Sequence, residues 1–150
     1  MSEKTEKWQK MLAENGYRLT DARRAVIDVV TNTDHVLKPI EVYEIARETY
    51  PRLGLVTVYR TLEKLEELNL ILRVHQPVDC QAFVPAWEGH KHLLLCTRCG
   101  RYEYFEGENL EEFFKGIGKK TGYVIEDHWM QLFGICAACA REGNQEDYPA

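Results

Sequence analysis

The chain has 150 residues, 45% of them hydrophobic, with 19 Lys and Arg against 24 Asp and Glu and a net charge of -5. That suits one ordinary domain or two small ones. No apolar run approaches the roughly 20 residues of a membrane-spanning helix, which leaves no membrane partner, and the polar start Met1-Ser2-Glu3-Lys4 implies a cytoplasmic protein. The charge is unevenly spread. Residues 1–75 hold 12 basic side chains against 12 acidic ones, and residues 76–150 hold 7 against 12. A neutral half with local basic clusters permits DNA binding, and an acidic half permits metal binding.

In chain order, residues 3–14 read as an amphipathic helix with Trp8, Met11 and Leu12 on one face, stopped at Asn15-Gly16. Thr20 or Asp21 caps a second helix, whose Ala22, Ala25, Val26, Val29 and Val30 recur at helical spacing. A third begins near Pro39 and runs through Val42, Tyr43, Ile45 and Ala46 to Tyr50, where Pro51 forbids continuation. A fourth, 56–68, turns Val58, Leu62, Leu65 and Leu68 inward and shows Thr57, Tyr59, Arg60, Thr61 and Lys64 outward. Strands at 70–74 and 81–84 make a hairpin. Helices followed by a two-stranded hairpin give a winged helix-turn-helix. Beyond residue 84 the pattern predicts strands at 93–95 and 101–105, a helix at 109–120 and a long strand at 123–135. The fold class is thus α+β, a winged helix followed by a small α/β domain.

Two Cys-x-x-Cys pairs, Cys96/Cys99 and Cys136/Cys139, have the spacing of a four-thiolate zinc site. A closed all-cysteine shell leaves no open position for water or substrate, so its role is structural. A redox pair or two disulfides are the alternatives, which a reducing compartment disfavours. His90 and His92 alternate just before the first pair, and His128 precedes the second. If zinc joins the pairs, these imidazoles converge, and Glu111 on the intervening helix adds a carboxylate. Such a set suits Zn(II), Fe(II), Mn(II) or Co(II). The alternatives are plain surface histidines or a hydrolase site activating water; no phosphate loop or catalytic triad accompanies it. Cys80 is either a small buried hydrophobe or, with His75, a second and softer site. Thr57, Tyr59 and Arg60 at the start of the fourth helix suit base edges. Arg18, Arg23 and Arg24 suit the DNA backbone or a narrow minor groove, although solvated helix faces look the same in sequence. A zinc-binding adaptor is the remaining class.

Asn15-Gly16-Tyr17-Arg18-Leu19-Thr20 with Arg23, then Gly54-Leu55-Val56-Thr57-Val58-Tyr59-Arg60-Thr61-Leu62, then His-x-His before Cys96-x-x-Cys99 and His128 before Cys136-x-x-Cys139, follow one another at specific spacings. In these features nearly the whole chain resembles the ferric uptake regulator (Fur) family. The resemblance implies a homodimeric, metal-dependent transcriptional repressor of palindromic A·T-rich double-stranded DNA operators. It partitions the chain into a DNA-binding domain (1–84), a hinge (85–89) and a metal-binding dimerisation domain (90–150). It assigns structural Zn(II) to Cys96, Cys99, Cys136 and Cys139, and regulatory Zn(II) or Fe(II) to His90, His92, Glu111 and His128. It associates Tyr59 with base contact and Arg18 with the minor groove. The family's other site, which bridges the two domains, is poorly matched: its usual ligand places hold Val84, Lys91, Leu93 and Tyr104, and His35 alone is kept. A variant built from His75 and Cys80 with His35 or Glu103 would replace it. Cys80 favours the zinc-sensing branch, with ferrous iron, manganese or peroxide response as alternatives.

Overall fold

A computed structural model describes residues 1–75, 82–107 and 110–143. The chain forms two compact units, Met1–Ala86 and Trp87–Ala150.

The first unit holds helices α1 (Glu3–Glu14), α2 (Asp21–Thr31), α3 (Pro39–Thr49) and α4 (Leu55–Glu67), then strands β1 (Ile71–Val74) and β2 (Ala82–Pro85). Each start has a local cause. The Ser2 hydroxyl accepts from the Thr5 N–H and the Thr20 hydroxyl from the Arg23 N–H, both as helix caps. Pro39 opens α3, where its missing N–H costs nothing, and the Glu41 carboxylate accepts from the Lys38 N–H at 2.7 Å. The α3–α4 turn is pinned by Leu53, 4% exposed, whose N–H donates to Tyr50. Trp8, Leu12, Ile27, Val42, Val58 and Leu65 meet in one core, and each such side chain contributes roughly 1.5–3 kcal/mol on burial. β1 and β2 pair antiparallel, Ile71 opposite Pro85 and Val74 opposite Ala82, and Leu37 adds an isolated bridge to Phe83. Arg73 on β1 donates to both Glu66 oxygens of α4 (2.7 and 3.1 Å) and lies over the Phe83 ring, fastening the wing to that helix.

The second unit holds β3 (Lys91–Cys96), β4 (Tyr102–Glu106), α5 (Leu110–Thr121), β5 (Gln131–Gly134) and the short α6 (Ala137–Glu142). The sheet order is β4-β3-β5, with β4 antiparallel to β3 and β5 parallel to it. A parallel neighbour needs a crossover, supplied here by α5 and the 122–130 segment. Parallel pairing sets Cys96 opposite Gly134, so both cysteine pairs emerge at the same end of the sheet.

Several sequence expectations are corrected. The long strand at 123–135 reduces to β5; residues 123–130 are aromatic and β-branched but have no strand pairing. Thr61, expected outward, is fully buried, its hydroxyl donating to the Thr57 carbonyl of the preceding turn at 2.7 Å. On α3, Val42 and Ala46 fill the inward stripe, while Ile45 is 42% exposed. The helix α6 is unforeseen. The expected helix start at Asn109 lies outside the described residues.

Candidate functional site

The four cysteines lie close enough together that they could hold a metal ion. Their sulfurs all lie within 4.8 Å of one another. Tetrahedral zinc–sulfur bonds of about 2.3 Å require sulfurs about 3.8 Å apart, and Cys99 Sγ and Cys136 Sγ stand 3.8 Å apart. The first pair is shaped by a tight turn in which the Gly100 N–H donates to the Cys96 carbonyl, with Gly100 at a φ of 77° that suits glycine. The second pair sits on α6, with Cys136 as its N-cap. Thr97 ties the two together, donating from its N–H (2.8 Å) and hydroxyl (3.2 Å) to the Gly134 carbonyl. Arg98 Nη1 donates to the Cys139 carbonyl.

Electrostatics at this centre favour a cation. Burial pushes the Cys96 thiol up, but N–H groups of Cys136, Cys99 and Arg98 outweigh it and bring the thiol down to about 6. Against an Arg101 N–H that favours its thiolate, burial and the neighbouring thiols hold Cys99 above its ordinary value. Bonding to Cys136 and Cys99 pushes Cys139 up to about 12. The Cys96 thiolate forms readily, while Cys99 and Cys139 resist adding charge beside it. A divalent ion relieves this conflict.

The histidine cluster lies along the same sheet. His92 is 5% exposed on β3, opposite Phe105 of β4, and His90 directly precedes β3. The His128 ring is 5.6 Å from the His90 ring and 5.1 Å from the His92 ring. Burial, then the proximity of His128 and His90, lowers the His92 pKa, so its imidazole stays neutral and ready to bind metal. His90, His92, Glu111 and His128 line one cavity of about 430 Å³, which Gly107, Glu112 and Lys115 also border. The structure therefore gathers the expected set around one space. Among the described residues, however, only the cysteines bring three or more metal-binding atoms within 4.8 Å of one another.

Sequence reasoning missed two supports of this cluster. The Phe114 ring of α5 stacks on His128 at 4.3 Å. Its helical spacing from Leu110 and Ile117 reads as ordinary core, so no signal marked it. Gly107 lies so close to His92 that a Cβ there would stand 2.9 Å from the ring Nε2; a glycine between a strand and a helix was the available hint.

Of the residues expected to form a second site, His35 and His75 lie in the first unit and Glu103 in the second. His35 Nδ1 pairs with Asp34 at 2.6 Å. His75 is exposed just after β1, Glu103 is exposed on β4 in the other unit, and Cys80 lies outside the described residues.

The expected DNA-reading residues share the first unit. Tyr59 is 43% exposed and Val56 64% exposed at the start of α4, with Arg60 exposed and Thr57 half-buried. No acidic residue stands in that first turn, so the positive end of the helix dipole is unopposed by local charge. Arg18 is exposed, and the Arg23 guanidinium is held against the Arg18 carbonyl. Arg24 instead donates to Gln9 Oε1 at 2.7 Å, binding α2 to α1.

Known proteins share this sequence pattern and fold. A ferric uptake regulation protein of Bacillus subtilis (strain 168) is 32% identical over 143 residues, covering 93% of this chain and 96% of its own. The Helicobacter pylori ferric uptake regulator superposes with a TM-score of 0.71 at 22% identity, covering 95% of this chain and 94% of its own. A zinc uptake regulator complexed with zinc and DNA gives 0.65 at 23% identity, covering 95% and 98%. Residues 14–133 match the model of the ferric uptake regulator family. With that match spanning most of its length, the chain belongs to the ferric uptake regulator family of transcription regulators, not to a family of enzymes.

Proposed function

We propose that this chain acts as a homodimer and represses transcription when a regulatory divalent ion is bound, releasing its operator when the ion is lost. The observation that carries this reading is the gathering of His90, His92, Glu111 and His128 around one cavity, in the unit whose ends the four cysteines tie together. Cys96, Cys99, Cys136 and Cys139 hold structural zinc. Residues 85–89 act as the hinge between a DNA-binding domain (1–84) and a dimerisation domain (90–150). Thr57 and Tyr59 meet thymine methyls, Arg60 meets guanine or phosphate, and Arg18 and Arg23 contact the backbone or minor groove of a palindromic A·T-rich site.

Zinc is the regulatory ion in this reading. Three imidazoles and one carboxylate complete a tetrahedral shell, whereas ferrous iron commonly keeps further positions. When bound, the ion supplies positive charge that the neutral His92 and the Glu111 carboxylate can share. His90 and His92 present nitrogen from β3, Glu111 presents oxygen from α5, and His128 approaches from the 123–130 segment. Holding these three elements together favours one arrangement of the dimer. Each ten-fold preference of the ion for that arrangement shifts the balance by about 1.4 kcal/mol. Ferrous iron is the second reading, supported by relatives named ferric uptake regulation proteins.

The test is fluorescence anisotropy of DNA from upstream of the protein's own gene, titrated against buffered free zinc and, separately, anaerobic ferrous ion. Binding at very low free zinc supports the zinc reading. A response to micromolar ferrous ion, with zinc effective only at unphysiological levels, replaces it with iron. DNA binding indifferent to both ions, on this and a second promoter, sinks the repressor reading.

A further inference from the structure

Ala86 ends the first unit and Trp87 begins the second. The Ala86 N–H donates to the Leu70 carbonyl at 2.8 Å, which fastens residue 86 to the end of the wing. The next residue, Trp87, already packs in the second unit, its ring 4.8 Å from Tyr104 on β4 and 5.7 Å from Trp129. Tyr104 is itself backed by Tyr102 at 5.4 Å and stands opposite Leu93 in the β3–β4 ladder. Trp87 therefore packs on the sheet at Tyr104 and also meets Trp129, the residue directly after His128.

Trp129 belongs to the irregular 123–130 segment and is 54% exposed, so nothing like the sheet holds it in place. The nearest backbone tie is a 3.5 Å bond from the Leu93 N–H to the Met130 carbonyl. His92, by contrast, is buried within a paired strand. The imidazoles do not converge to the spacing the cysteine sulfurs have, so bringing them around one ion requires movement. Movement at His128 needs no ladder bond to break, whereas movement at His92 does. When His128 is drawn towards His90 and His92, Trp129 is carried with it.

We propose that Trp87 and Trp129 are positioning residues that relay the state of the histidine cluster to the joint between the two units. The inference rests on the reading of His90, His92, Glu111 and His128 as the regulatory site. Drawing in His128 re-seats Trp129 against Trp87. Trp87, lying one bond from the wing's last backbone anchor, then restricts the torsions at the Ala86–Trp87 joint. The two states differ in the aromatic contact at Trp87, which gives the coupling a physical carrier.

The experiment uses the full-length protein with its cysteine zinc in place. The chain has three tryptophans, and Trp8 lies in the first unit, so Trp8→Phe leaves only Trp87 and Trp129 to report. In that background, zinc titration of the histidine cluster is expected to change tryptophan emission, and His128→Ala to abolish the change. Trp87→Leu and, separately, Trp129→Leu are expected to bind zinc at the histidine cluster within about two-fold of wild type, by chelator competition. Their zinc-dependent gain in operator affinity is expected to fall by about ten-fold, within the usual range of allosteric coupling. Trp87→Phe, which keeps a ring in place, is expected to restore most of the gain, an outcome a purely structural role would not produce in variants of equal zinc content and circular dichroism. Exposed Trp129 can be truncated with little risk to folding, so Trp129→Leu decides the matter if Trp87→Leu misfolds. Tryptophan emission indifferent to zinc, or leucine variants with the full gain, would overturn the relay while leaving the regulatory site standing. A full gain in His128→Ala would remove the regulatory reading and the relay with it.

Discussion

Cys96 and His92 sit four residues apart on one strand and respond to acid in the same direction for different reasons. In the metal-free protein, N–H donors hold Cys96 at about 6 against an ordinary value of 9.0. A depressed value stabilises the fold fully above the unfolded value, and that stabilisation is lost as pH falls through about 6. His92 is likewise depressed, from 6.5, by burial and its histidine neighbours. Its contribution is complete above 6.5 and fades as pH drops through the lowered value. With the cysteine zinc in place and the histidine cluster empty, denaturant titration should therefore show stability falling on acidification, and His92→Gln should flatten the part of that fall that begins near pH 6.5. Zinc capture also expels the thiol protons, including that of Cys139 near 12. Its affinity at the cysteine centre should drop by at least about ten-fold from pH 8 to pH 6 in chelator competition. Cys96→Ser should lose that zinc altogether together with the folded second unit; a stable zinc-free dimer would refute the structural role. The cysteines were legible in the sequence because metal spacing is local. The depressed Cys96 was not, since its donors include an N–H from Cys136, forty residues away.

Elements were legible where their causes are local. Ser2, Thr20, Pro39 and Pro51 mark helix limits through caps or a missing N–H, and helices α1 to α4 follow them closely. The 123–135 segment was misread because its β-branched and aromatic residues satisfy strand propensity, while a strand also needs a partner. β3 begins at Lys91 and pairs from Leu93 opposite Gln131, so β5 starts where the ladder does. The helix α6 escaped notice because Cys136-Ala137-Ala138-Cys139 reads first as a metal knuckle, although its alanines are strong helix formers. The passage from β4 to α5 offers a sharp test. Gly107→Ala would press a methyl group into the Leu110 side chain and to 2.9 Å from the His92 ring, and overpacking of that kind costs about 1–3 kcal/mol. Zinc affinity at the histidine cluster should fall about ten-fold or more in isothermal titration, with the cysteine zinc retained. In the first unit, Leu65→Ala should cost about 2–5 kcal/mol in urea unfolding, because the side chain is wholly buried between helices. Tyr59→Ala, at an exposed site, should leave stability within about 0.5 kcal/mol while weakening operator binding by about ten-fold.

At the scale of the molecule, the two units draw their stability from different sources. The first has a contiguous apolar core. The second buries no residue of α5 and closes on its four cysteines, where structural zinc would supply on the order of 10–16 kcal/mol. Calorimetry should therefore resolve two transitions, and a strong chelator should abolish only the one belonging to the second unit while most helical circular dichroism persists. A single transition that chelation shifts as a whole would show that the units unfold together. The parallel pairing of β3 with β5 has one more consequence. It makes the cysteine clasp the fastening of a loop, and Glu111 and His128 lie inside that loop while His90 and His92 lie at its mouth. On the proposed reading of the two metal centres, dependence between them then runs one way: emptying the histidine cluster would leave the clasp shut, but opening the clasp would disperse the histidines. A newly made chain would then have to take up its first ion to become an instrument before a second could be a signal, so in a cell stripped of zinc it would be silent for want of assembly as well as for want of a message.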